Sequence, residues 1–291
     1  MKIEKQLKKQ VVFILSEVRS GSTWLSYVLG SHTGAVHLGE YYRPFTMQNH
    51  VACRLCEGNG KKECDYLYGI EEIAKEDAFN FAFDRFQGDM LVDASKQLTW
   101  LNVFTDSDDF EIKIIHLLRD PRAWFASQKR RDKGLSIDRA IKSWIKTNED
   151  ITKALEEASL SFVTAFYDEL CINPHHYFEK SICGYLGKSF ESSALEYWKK
   201  SHHGLGGNGA ALNNLIDCPQ GQVKTGGDKF YVENIRKLFY DKRWLTELSA
   251  TERDLIESMP MVNEYLQSHA RSFSLFDSLL ETLKELTGHP S

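Results

Sequence analysis

Five apolar residues, Val11 to Leu15, run directly into Ser16-Glu17-Val18-Arg19-Ser20-Gly21-Ser22-Thr23, and a helical pattern starts at the end of that turn. A buried strand that passes through a glycine-containing turn into a helix leaves the first N–H groups of the helix unpaired and its positive dipole end open to an anion. The element predicts a phosphate cradle in an α/β fold. It lacks the terminal Gly-Lys-Ser/Thr of an ATP or GTP loop, and Arg19 stands before the glycine instead.

A second buried-strand pattern, Ile112 to Leu118, is followed by Arg119-Asp120-Pro121-Arg122-Ala123-Trp124-Phe125-Ala126-Ser127. Pro121 suits a first helical turn, where a missing N–H costs nothing. That reading puts Arg119 at a strand tip and Ser127 early on the next helix, so a guanidinium and a hydroxyl can meet on one anion.

These two segments resemble the cofactor motifs of sulfotransferases that use 3′-phosphoadenosine 5′-phosphosulfate (PAPS). The resemblance implies that Arg19, Ser20, Gly21, Ser22, Thr23 and Trp24 hold the 5′-phosphosulfate, and that Arg119 and Ser127, eight residues apart, hold the 3′-phosphate that ATP lacks. The wording Leu118-Arg119-Asp120-Pro121-Arg122-Ala123 is close to that of carbohydrate-type members. Val92-Asp93-Ala94-Ser95-Lys96 resembles the segment between the two motifs, and Tyr167-Asp168-Glu169-Leu170 resembles a Tyr-Glu-Asp-Leu segment with its two acids swapped. His202-His203 with Gly206-Gly207-Asn208, and Asp241…Trp244…Leu248, are similar to later stretches of the family, so the likeness runs from about residue 10 to 265. It implies one sulfotransferase domain over residues 1–291, with a P-loop NTPase-like parallel sheet flanked by helices, and PAPS as cofactor with adenosine 3′,5′-bisphosphate as product.

The periodicity agrees with an α/β unit. Segments 11–16, 90–93, 112–118 and 161–166 read as strands, and 22–31, 121–131, 136–158, 175–186 and 274–287 as helices. At 291 residues and 42% hydrophobic content the chain can bury a large core. Parallel strands covered by helices gather the loops at their C-terminal ends, where Arg19 and Arg119 both fall and where open α/β sheets bind ligands.

Sulfuryl transfer needs a base for the acceptor and cations on the leaving side. Arg19 supplies one cation, and Lys96 is placed to contact the sulfuryl oxygens or is a surface lysine. Glu40, which follows the short strand-like Val36-His37-Leu38-Gly39, matches the position of the acceptor-deprotonating Glu in tyrosylprotein and related sulfotransferases. A carboxylate in a partly desolvated cleft is expected to have a raised pKa that suits it to this work; its other reading is a loop partner for Arg43. His37, His202 and His203 are alternative bases, and His116 reads as a core histidine. The resemblance implies a small-molecule, natural-product or carbohydrate acceptor presenting a hydroxyl or an amine, with a sugar, a lipid headgroup and a phenol all open. Tyr41, Tyr42, Phe45 and Trp100 are either stacking surfaces for it or core.

The net charge of −5 argues against a general nucleic-acid or anionic-membrane binder. Lys129, Arg130, Arg131 and Lys133 form a local basic cluster, read as a solvated helix end or as steering for an anionic cofactor. The polar, lysine-rich Met1 to Gln10 and the short Val11–Leu15 run make no signal-peptide core or membrane span, which leads us to expect a cytoplasmic enzyme of the bacterial type. His50, Cys53, Cys56 and Cys64 have the spacing of a tetrahedral zinc site, with plain thiols in an insertion at about 46–68 as the other reading. Residues 204–229 are rich in Gly and Asn and are expected to form a lid. The competing function is a P-loop ATP-dependent kinase, with Arg19–Thr23 on the nucleotide and Asp120 on Mg2+. A non-catalytic scaffold is a third.

Overall fold

Val11 to Leu15 are all buried because the strand they form, β1 (Gln10–Leu15), is flanked on both sides. In the computed structural model, which describes residues 9–46, 52–215 and 229–267, β1 is the middle of a five-stranded sheet. The other strands are β2 (Ala35–Gly39), β3 (Met90–Asp93), β4 (Glu111–Leu118) and β5 (Phe162–Phe166), in the order β2-β3-β1-β4-β5. Every pairing is parallel, with Val12 opposite Val92 on one side and Phe13 opposite Ile114 on the other. Near-continuous apolar runs, rather than alternating ones, mark strands covered on both faces. The α/β class expected from the sequence is therefore the observed one.

The helices follow from the same logic. Asp120 caps Pro121–Lys129 by accepting from the Arg122 N–H at 2.8 Å, with Pro121 in the first turn. Helix Ile137–Glu157 buries Ala140, Ile141, Trp144, Asn148, Ile151 and Leu155, one face at 3.6-residue spacing. Trp244, Leu248, Ile256, Val262 and Tyr265 join these two helices in a second apolar cluster.

The stretch 175–186 is not the single helix that its pattern predicts. It divides into Pro174–Tyr177, a π-helical turn Phe178–Cys183 and Gly184–Leu186; the wider turn buries Phe178, Ile182 and Cys183 together. The predicted helix 274–287 lies outside the described residues, as do 47–51 of the insertion and 216–228 of the Gly-rich segment. Within that segment Gly209–Asn213 forms a short helix, and Leu212 and Leu215 are buried. Among the described residues no helix is long and apolar enough to cross a membrane.

β1 leads through helix Ser22–Leu29 toward β2, whereas its neighbour β4 leads through Pro121–Lys129 toward β5 on the opposite edge. The loops after two adjacent strands diverge here and leave a crevice at their C-terminal ends, the usual ligand position in such sheets.

Candidate anion-binding and transfer site

The turn after β1 is held from beneath. Val18 offers its carbonyl to the Trp124 indole at 2.8 Å, and Arg19 takes the left-handed backbone region at φ 68°. Gly21, at φ 94°, starts the helix; a Cβ there would meet the Tyr167 ring at 2.2 Å, so only glycine fits. Helix Ser22–Leu29 has no side-chain cap, which leaves its first-turn N–H groups without a side-chain acceptor. The Ser20 N–H is used within the loop, donating to the Glu17 carbonyl at 3.3 Å, and the Thr23 hydroxyl accepts from the Asn208 N–H at 3.2 Å.

The two sequence motifs converge in one cluster. Arg19 Nε donates to Ser127 Oγ at 2.7 Å, and Arg119 Nη1 donates to the Arg19 carbonyl at 3.0 Å. Arg119 is almost wholly buried; it lies 5.0 Å over the Tyr167 ring and 3.9 Å from an oxygen of Asp241. Asp241 also meets Arg130 at 3.2 Å and Arg243 at 2.8 Å. Burial lowers the Arg19 pKa, and against the opposing effect of Tyr231 the positive charges of Arg131, Arg119 and Arg130 lower it further. Cations are crowded where an anion would relieve them. Arg119 Nε and Ser20 Oγ are buried and lack a hydrogen-bond partner among the described residues. These donors suit an anion.

Asp168 fixes the second turn. Wholly buried, it accepts the Asp120 N–H at 2.6 Å, and burial followed by the Asp120 charge pushes its pKa up to about 6. Asp120 in turn is fully enclosed and bound by Arg122 at 2.7 Å. Asp168 belongs to a segment singled out by resemblance, but its service to Arg119's strand tip is not readable from spacing.

Glu40 follows β2 and lies with Lys96 and Arg43. Its Oε1 accepts from Lys96 Nζ at 2.9 Å, and its Oε2 accepts from Arg43 Nε at 2.7 Å and from Arg43 Nη2. The expected raised pKa is not found. Burial pushes the carboxyl up, but the charge and hydrogen bond of Lys96, followed by those of Arg43, outweigh it and hold Glu40 below the ordinary carboxylate value. Lys96 is enclosed and not a surface lysine: it is 12% exposed, sits at φ 66°, and also donates to the Ala94 carbonyl at 2.7 Å. The preceding turn is tied by Asp93, which accepts from the Ser95 N–H at 2.8 Å and the Ser95 hydroxyl at 2.7 Å.

Gly206 lies against this pair. At φ 63°, a Cβ on it would fall 2.5 Å from both Arg43 Nε and Glu40 Oε2. Gly206 to Asn208 thus passes from Glu40 to Thr23 and joins the two halves of the site.

The alternative bases are placed elsewhere. His37 shares a 2.7 Å hydrogen bond with Ser26 Oγ and stacks on Tyr27, and burial, then His202, puts its pKa well below the ordinary value. His202 is buried against Ser31 Oγ and the Tyr197 carbonyl, with its pKa pushed by burial down to about 4. His203 faces Cys53, Cys56 and Cys64, while His50 lies outside the described residues. His116 is a core histidine paired with Asn148 at 3.1 Å. Tyr41 and Trp100 are core, with Phe45 stacked on Trp100 at 5.2 Å. In the basic cluster, Lys129 pairs with Glu252 at 2.6 Å and Arg130 with Glu247, whereas Arg131 and Lys133 are exposed. Arg131 also lines a cleft of about 670 Å³, with Glu17, Trp124, Gln128 and Arg139.

No family model matches this chain, and no curated protein matches it. Among solved structures it is similar to the sulfotransferase domain from the Synechococcus PCC 7002 olefin synthase, with 17% sequence identity, a TM-score of 0.49, and 89% of this chain and 97% of that chain covered.

Proposed function

We propose that this chain is a sulfotransferase that moves a sulfuryl group from PAPS to a hydroxyl or amine of a small-molecule, natural-product or carbohydrate acceptor. The observation that carries the proposal is the convergence of Arg19, Arg119 and Ser127 at the diverging ends of β1 and β4, with Arg130 and Arg131 crowding Arg19. Such a cluster fits a nucleotide carrying separate phosphate groups better than a single triphosphate chain held by a Lys loop.

PAPS, when bound, supplies the sulfuryl group on a phosphate leaving group. The open N–H groups at the start of Ser22–Leu29 and the Arg19 guanidinium hold the 5′ side and stabilise the departing phosphate. Arg119 and Ser127 hold the 3′-phosphate. Glu40 would take the proton from the acceptor hydroxyl or amine. Lys96, paired with Glu40, would also contact the sulfuryl oxygens. A contact from Lys96 to bound donor would weaken its hold on Glu40, whose carboxylate would then be the stronger base.

The kinase reading requires a strand-end carboxylate open to Mg2+. Asp120 is enclosed and committed to Arg122 and to capping Pro121–Lys129, which weighs against it. Calorimetric titration separates the two. Tight binding of adenosine 3′,5′-bisphosphate that survives EDTA, with weak binding of ATP and Mg2+, is the expected outcome. Preference for ATP with Mg2+ selects the kinase, and binding of neither selects a scaffold. An acceptor screen with PAPS then identifies the substrate.

A further inference from the structure

Three thiols and one imidazole nitrogen meet outside the transfer site. Cys53 caps the short helix Arg54–Gly58, Cys56 lies within it, and Cys64 returns after the turn that follows. His203 arrives from the other end of the chain, and its Nδ1 lies 3.7 Å from Cys53 Sγ, 3.5 Å from Cys56 Sγ and 3.5 Å from Cys64 Sγ. The four donor atoms fall within 4.8 Å of one another, and all three cysteines are buried and free of disulfides.

One ring nitrogen offers a single lone pair or a single N–H, so it can satisfy only one of three surrounding sulfurs by hydrogen bonding. Three sulfurs at nearly equal distance from it instead match ligands arranged about a common centre. A tetrahedral zinc ion with Zn–S about 2.3 Å and Zn–N about 2.0–2.1 Å places nitrogen and sulfur about 3.5 Å apart. The observed separations are 3.5–3.7 Å. The Tyr66 ring, 4.6 Å from the imidazole and itself stacked on Phe86, fixes the orientation of His203.

We infer that Cys53, Cys56, Cys64 and His203 form a structural Cys3His zinc site, which clamps the insertion onto the segment leading into Gly206. Four protein donors close the coordination sphere and leave no open position for catalysis. The clamp lies beside Glu40. Leu205 donates its N–H to the Leu38 carbonyl at 2.9 Å and accepts the Glu40 N–H at 2.7 Å, while the Arg54 N–H donates to the Gly204 carbonyl at 3.3 Å. Leu205 thereby bridges both Gly39 at the end of β2 and Cys53. Through these links a closed Cys3His site would hold the backbone of residue 40 in place. The site itself does not depend on the proposed sulfotransferase activity; only the importance of holding Glu40 does.

The test is metal analysis of the full chain purified under reducing, chelator-free conditions. About one equivalent of zinc per chain is expected, with less than about 0.2 in Cys56→Ser and in His203→Gln, and full content in His50→Ala. Replacement by Co2+ should give the visible absorption and thiolate charge transfer of tetrahedral sulfur-rich coordination. Zinc removal should speed amide hydrogen exchange at 53–64 and 203–208 while leaving β1 and β4 protected. Near-zero metal in wild type with Cys53, Cys56 and Cys64 all free to alkylate overturns the site, as does iron in place of zinc. Loss of zinc from His50→Ala with retention in His203→Gln overturns the ligand assignment. Because the wild-type measurement and the cobalt spectrum need no variant, a misfolded mutant cannot obscure the result. Adenosine 3′,5′-bisphosphate titration of the same sample reads the other proposal independently.

Discussion

Lys96 Nζ donates to Glu40 Oε1 at 2.9 Å, binding into one ion pair two residues that are 56 positions apart. The pair is only 12–14% exposed, so it is weakly screened and its two charges depend on each other. In the proposed reaction this gives each of them two tasks, and it makes the protonation behaviour of Glu40 depend on what Lys96 is contacting.

Glu40→Gln keeps the shape of the side chain and removes its basicity. We expect turnover to fall by roughly 10²–10⁴-fold with bisphosphate affinity unchanged within a few-fold. Steady-state kinetics beside a calorimetric titration checks both halves; a near-normal rate would remove Glu40 as the base.

The depressed Glu40 pKa has a sign that can be measured. The carboxylate stays ionised below its ordinary 4.5, so the acid limb of kcat/KM should lie below that pH. The pair's contribution to stability is present above the unfolded pKa and is lost as pH falls through the lower folded one. Arg43→Met removes one stabilising partner and should move the limb to higher pH. Identical limbs in wild type and Arg43→Met would show that Glu40 does not govern the profile.

Arg119→Ala and Ser127→Ala should each weaken adenosine 3′,5′-bisphosphate by about 1.5–3 kcal/mol, roughly 10- to 150-fold, and weaken adenosine 5′-phosphate much less. Ser127→Ala also releases Arg19 Nε, so its effect on the 5′ side should exceed that of Arg119→Ala. Equal losses for both ligands in Arg119→Ala would detach Arg119 from the 3′-phosphate.

Gly21→Ala forces a Cβ into the Tyr167 ring at a backbone angle of φ 94°. Backbone strain alone is of order 1–3 kcal/mol, and the steric conflict adds to it. Urea unfolding should show a loss of at least about 2 kcal/mol, and bisphosphate binding should be abolished because the turn cannot close. In Gly21→Ala/Tyr167→Leu, part of the stability should return, while the strain at residue 21 remains.

The central strands, the glycine-containing turn after β1 and the capped helix Pro121–Lys129 were legible in the sequence, because each depends on residues within about ten positions of one another. Burial on both faces is written as an unbroken apolar run in β1, and the helix start is written as Asp120-Pro121. Arg19 and Arg119 could be singled out for the same reason, since a turn into a helix and a strand tip are local features, whereas Ser127, in the second turn of Pro121–Lys129, was marked by its resemblance to a family motif. What tertiary structure alone decided are the relations across long separations. Asp168 reaches the Asp120 N–H, Asp241 gathers Arg119, Arg130 and Arg243, Lys96 and Arg43 reverse the expected pKa of Glu40, and His203 joins cysteines some 140–150 positions earlier. No spacing encodes these. They arise where sheet order brings separate loops to one edge, and their energies are set by burial and charge in the assembled crevice.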